Sequence, residues 1–135
     1  MFNGTLARLS LGGESAPRPI LDDVRDADWA PDGEGLAIVR EVDGESRLEY
    51  PVGTVLGRTS GYFSDLRFSR RGDQIAFLEH PVEEDNRGFV AVVDLRGQKS
   101  TLSDLWWGVE GLAWSADDSE VLYGAGTGFA DFRVH

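Results

Sequence analysis

The chain has 135 residues, with 13 lysines and arginines against 24 aspartates and glutamates, a formal charge of −11, and no cysteine. That balance repels a phosphate backbone and an anionic membrane surface, and the missing thiols exclude disulfides and thiolate metal sites. The length suits one domain that buries roughly 68% of the surface its unfolded form exposes, and no apolar run approaches the ~18 residues needed to cross a bilayer.

The first 13 residues lack the charged start and continuous apolar stretch of a signal peptide, so any export signal is expected outside them. An alternating run over residues 6–11 meets Gly12-Gly13, and a second run follows over 19–23. This predicts a hairpin within residues 1–25. The next unit, over 26–60, begins with Trp29-Ala30-Pro31-Asp32-Gly33 ahead of the apolar strand 36–39, with further strands at 47–50 and 54–56. The unit over 62–104 repeats that order. Phe68-Ser69-Arg70-Arg71-Gly72 leads into 75–78, and a second hairpin follows through 89–95, Arg96-Gly97 and 100–104. A partial unit over 109–135 has Trp114-Ser115-Ala116-Asp117-Asp118 leading into 121–123, with a last strand expected at 130–134.

Each unit is read as a strand ending in an aromatic residue, a tight turn and a second strand. Two residues before each aromatic stands an apolar side chain (Ala27, Leu66, Leu112), which shares its face on a strand. Pro31 suits the first central position of a type I turn, while Gly33 and Gly72 suit the left-handed position after it. Asp118 occupies that position in the third copy, where aspartate is tolerated better than most residues. The aromatics lie 39 and 46 residues apart, and the matched leucines Leu11 and Leu95 lie 84 apart. A period of about 42 residues is that of a four-stranded propeller blade. The fold expected is therefore an all-β propeller segment of antiparallel blades, two whole and two partial. Trp29, Phe68 and Trp114 are its expected core anchors.

The segments WAPDGEGLAIV, FSRRGDQIAFL and WSADDSEVLY resemble the TolB-type β-propeller repeat, whose core reads Trp-Ser-Pro-Asp-Gly before an apolar strand. With the second hairpins, the resemblance covers nearly the whole chain. Residues 47–95 are further similar to propeller regions attached to some bacterial serine/threonine protein kinases. The departures are Arg70-Arg71 in place of Pro-Asp and Asp117-Asp118 in place of Asp-Gly. The resemblance implies a module that binds proteins or peptides or acts as a sensor, in either the bacterial cytoplasm or the periplasm. The alternative it implies is a regulatory or substrate-gating segment of a peptidase or kinase whose catalytic domain lies elsewhere. It supplies no catalytic residue, no cofactor and no metal ligand.

The residues agree with a non-catalytic reading. The kinase motifs and the Gly-x-Ser-x-Gly elbow are absent, and the histidines are His80 and His135. His80, before Pro81, is expected to be structural or at the surface of a strand end. Asp22, Asp23, Asp26, Asp28 and Asp32 fail the calcium-loop pattern, since Asp28, Ala30 and Asp32 precede Gly33, and are expected to cap turns. The run Gly124-Ala125-Gly126-Thr127-Gly128 has no helix predicted after it and reads as a turn, not a phosphate loop.

Two segments remain as candidate partner-binding sites. Glu83, Glu84 and Asp85 form an acidic loop suited to a basic partner, or simply a solvated one. Trp106 and Trp107 stand at the junction of two units, either as a binding hot spot or as a seal between blades. Unclosed blades expose strand edges, which predicts either a longer propeller or self-association, including a homodimer that completes a six-bladed ring.

Overall fold

The computed structural model describes residues 4–13, 16–126 and 132–134. Among them there is no helix, and every sheet is antiparallel. The first sheet holds β1 (Gly4–Arg8), β2 (Arg18–Trp29), β3 (Leu36–Val42), β4 (Glu45–Glu49) and β5 (Val55–Thr59), in chain order. The middle sheet holds β6 (Tyr62–Phe68), β7 (Gln74–His80), β8 (Phe89–Asp94) and β9 (Lys99–Thr101). The third holds β10 (Gly108–Trp114), β11 (Val121–Gly126) and β12 (Phe132–Val134). None of the sheets closes on itself. Residues 127–131 and His135, including part of the expected glycine turn and last strand, lie outside the described residues.

The middle sheet is covered on both faces, and the period-two alternation of its strands sorts the cover. Ile75 and Phe77 of β7, with Ala91 and Val93 of β8, join a core with Ala37, Val39 and Leu48 of the first sheet. Ala76, Leu78 and Val90 point the other way, into a core with Val109, Leu112 and Ala125 of the third. Phe63 meets Phe77 edge-on with ring centroids 5.1 Å apart, and Tyr50 meets Phe68 in the same manner at 4.9 Å, both within the spacing aromatic pairs favour.

The three aromatic-to-turn units share one register. Trp29 pairs with Leu36, Phe68 with Ile75 and Trp114 with Val121. Gly33, Gly72 and Asp118 take φ of 76°, 77° and 60°, and their amides donate to Ala30, Ser69 and Ser115. Each first strand also carries an irregularity in pairing just before its aromatic: between Val24 and Asp26, Ser64 and Arg67, and Glu110 and Leu112. Such bulges sharpen the local twist.

The structure corrects two expectations. The hairpin over 1–25 is present, β1 pairing with β2, but it is not a separate partial unit, because β2 runs unbroken from Arg18 to Trp29 and exchanges partners at Val24, from β1 to β3. Asp23, at φ 60°, marks the change of direction that brings Arg8 to 5.3 Å from the Trp29 ring. Second, the anchors are not equally buried. Phe68 is 8% exposed, Trp114 is half-buried and Trp29 is 44% exposed. Phe68 packs against the first sheet and Trp114 against the middle one, whereas no other full sheet covers Trp29 among the described residues. Phe68→Ala should therefore lower unfolding stability by about 3–5 kcal/mol, and Trp29→Ala by about 1 kcal/mol or less in dilute monomer, read from urea midpoints.

Candidate partner-binding surface

The loop joining β7 to β8 and the segment joining β9 to β10 meet at one end of the stack. Gly88 and Trp106 exchange backbone hydrogen bonds of 3.1 and 2.8 Å, and Val109 N donates to Asn86 O. The bridge turns Trp106 inward, where it packs on the core between the middle and third sheets and lies 6.5 Å from the Tyr123 ring. Trp107 consequently faces out and is 65% exposed. The two adjacent tryptophans thus have different positions, one sealing a sheet junction and one presented to solvent.

The exposed ring is held in place. The Arg87 guanidinium lies 5.5 Å from the centre of Trp107. Its Nη2 and Nε each donate to Asp85 Oδ2, at 2.6 and 2.9 Å, and Asp85 Oδ1 accepts from Arg87 N at 2.8 Å. These bonds hold the Asp85 carboxyl below its ordinary range and the guanidinium above its own. Planar guanidinium on an aromatic face, anchored by a carboxylate, is a preorganised arrangement. Val82 and Leu105, also exposed, add apolar surface on the same two connections.

Behind this rim lies a connected interior. Tyr62 donates its hydroxyl to the Asp85 carbonyl at 2.9 Å, stacks on His80 at 4.1 Å with an interplanar angle of 11°, and receives Arg25 on its ring at 4.5 Å. Arg25 Nε is 3.8 Å from Glu41 Oε1, and the Glu83 carboxylate acts on both groups. Burial pulls the Arg25 guanidinium down and pushes the Glu41 carboxyl up. His80 ends β7 and is buried, so the reading of it as a surface group is excluded and the structural alternative is the one observed. Glycines permit this closeness. A Cβ on Gly61 would lie 1.8 Å from the His80 carbonyl oxygen, and one on Gly88 2.7 Å from that of Glu79.

His80 Nδ1 is 3.2 Å from the Arg87 carbonyl, and Nε2 is 2.8 Å from Ser64 Oγ, which also reaches Asp65 Oδ2 at 3.0 Å. A carbonyl accepts only, which assigns the proton of neutral His80 to Nδ1; the single Ser64 hydroxyl proton then goes to either His80 Nε2 or Asp65 Oδ2, both of which accept. The Ser64–His80 contact was not legible in the sequence, because the residues stand 16 apart on two strands and no motif links them.

The acidic residues before Gly33 have separate duties. Asp32 accepts from Glu34 N and Gly35 N within its turn. Asp26 and Asp28 reach across to β6 and accept from Leu66 N and Phe68 N at 2.9 and 2.8 Å. Among the described residues, no group of three or more histidines and carboxylates is placed to hold a metal ion. No protein-family model matches the chain, and no curated protein matches it.

Burial lowers the pKa of His80 below its ordinary 6.5. The unfolded chain therefore binds the proton more readily, so the contribution of neutral His80 to stability is complete above the unfolded value and declines as pH falls through it. The raised carboxyls of Asp26 and Glu41 act in the opposite sense at lower pH, since protonation relieves the cost of burying their charge. Wild-type melting temperature should thus fall relative to that of His80→Gln between about pH 7.5 and 5.5. Parallel curves across that interval would rule the contribution out.

Proposed function

We propose that this chain is a non-catalytic segment of a TolB-type β-propeller, its sheets serving as blades, and that it binds a protein or peptide through the rim around Trp107. The blade reading is supported by three antiparallel meanders in one register, with their first strands adjoining one another. The binding reading is carried by Trp107 itself, an exposed indole held under Arg87 and Asp85. A rigid, exposed aromatic loses little conformational entropy when covered, which is why tryptophan so often dominates binding energy.

The occupant suited to this rim carries an apolar side chain to cover Trp107 and basic groups to face Glu83 and Glu84. Asp85 is engaged by Arg87 and serves to hold the ring in position. Ser64 and His80 are assigned a structural role, because His80 is enclosed beneath Tyr62 and its Nδ1 is committed to a backbone carbonyl.

Selection from a random peptide display library on the immobilised chain tests the proposal. Enriched peptides should carry an aromatic or aliphatic residue beside lysine or arginine. Trp107→Ala should weaken their binding by at least about tenfold, with the melting temperature unchanged. Binding that is indifferent to Trp107→Ala, or a library yielding no enrichment, would reject the site.

A further inference from the structure

We infer that the open face of the first sheet is the seat for the third sheet of a second copy of this chain, so that two copies complete each other. The inference rests on reading the sheets as blades.

The two junctions inside the chain follow one rule. The later sheet turns its aromatic anchor back onto the earlier sheet: Phe68 joins the core with Ala37 and Val39, and Trp114 packs against the cluster that contains Ala76 and Leu78. Trp114 Nε1 also donates to the Arg67 carbonyl, on the residue before the earlier anchor, at 2.8 Å. The later turn rests on the earlier one as well. A Cβ on Gly72 would lie 3.3 Å from Pro31 Cδ, and Asp118, at the same place in its own turn, accepts from Arg70 N and Arg71 N at 2.8 and 3.0 Å.

The two ends of the stack leave opposite halves of this rule unmet. On the first sheet, Trp29 is 44% exposed with Arg8 beside its ring, and a Cβ on Gly33 would meet nothing within 4 Å. On the third sheet, Leu122 is 48% exposed, whereas Ala37 and Ala76, which occupy its register position, are 0% exposed. Ala113, in the register of Arg67, is exposed too.

The position in front of the first sheet is also partly filled in a way that identifies the occupant. β1 and the first half of β2 face Ala27, Trp29 and Leu36 across a crevice of about 350 Å³. Those are two strands, with β1 at a sheet edge and able to pair. The third sheet supplies the anchor-bearing strands that this position lacks. Within one chain it is not able to do so, because the middle sheet separates it from the first. A second copy meets no such obstacle. Trp29 of each copy then covers Leu122 of the other and donates Nε1 to its Ala113 carbonyl, as Trp114 does to Arg67. Applied twice about a twofold axis, the contact closes.

The test is complementation between two surface variants, followed by analytical ultracentrifugation. The wild-type chain should sediment as a dimer at about 100 μM. Trp29→Arg and Leu122→Glu, each on an opposite face, should raise the dimer dissociation constant at least about 100-fold and sediment as folded monomers by circular dichroism. Mixing the two variants should restore dimers, since one junction is then intact and the other sets arginine against glutamate. A wild-type monomer, single variants that stay dimeric, or folded variants that fail to complement would each overturn the inference. If either charged variant loses its strand signal, Trp29→Ser and Leu122→Gln take its place with the same expectations. Trp107-dependent peptide binding by the same preparation reports the binding role separately, so the two can fail independently.

Discussion

A sheet buried on both faces needs two covers, and β7 is where this protein meets that demand. Ile75 and Phe77 enter one core while Ala76 and Leu78 enter another, so a single strand joins three sheets. An antiparallel sheet with one wet face would place polar residues at every second position. Here the run Ile75-Ala76-Phe77-Leu78 is apolar without interruption, and the first and third sheets are its necessary neighbours. Their positions in turn determine which loops meet, and hence where Trp107 is presented.

Stacking sheets in this way leaves strand edges to satisfy. β6 pairs with β7 on one side only, and Asp26 and Asp28 of β2 take the amides of Leu66 and Phe68 on the other. Carboxylates also close the turns. Asp94 accepts from Arg96 N and Gln98 N, and Asp117, bonded by Ser119 and Ser115, is lowered to about 2. Part of the acidic excess is thus a set of backbone acceptors. A carboxylate offers two oxygens and no donor, which matches an edge of unpaired N–H groups.

Most of the strands are legible in the chain, because aromatic, turn and apolar run follow one another in a fixed order. The rim is legible in the sequence only as two separate segments. In the sequence, Glu83, Glu84 and Asp85 read as an acidic loop, and Trp106 and Trp107 as a junction. Nothing in their sequence separation announces that Gly88 and Trp106 share a bridge, or that Arg87 lies on Trp107. Arg87 carries no sequence signal, since a lone arginine beside an acidic run is ordinary until its geometry is known. His80 and Ser64 escaped for a related reason: cross-strand neighbours are set by register, which bulges such as the one after Ser64 displace.

By itself, the sequence determined the local conformations: strands from alternation and apolar runs, and turns from Pro31, Gly33, Gly72 and the left-handed tolerance of Asp118. These depend on residues a few positions apart, where sterics and backbone hydrogen bonds act directly. Only the tertiary structure decided depth and company. Trp29, Phe68 and Trp114 hold the same place in their units, yet one is exposed, one buried and one between, because burial depends on whether another sheet stands opposite. That is a property of the stack, and no window along the chain contains it.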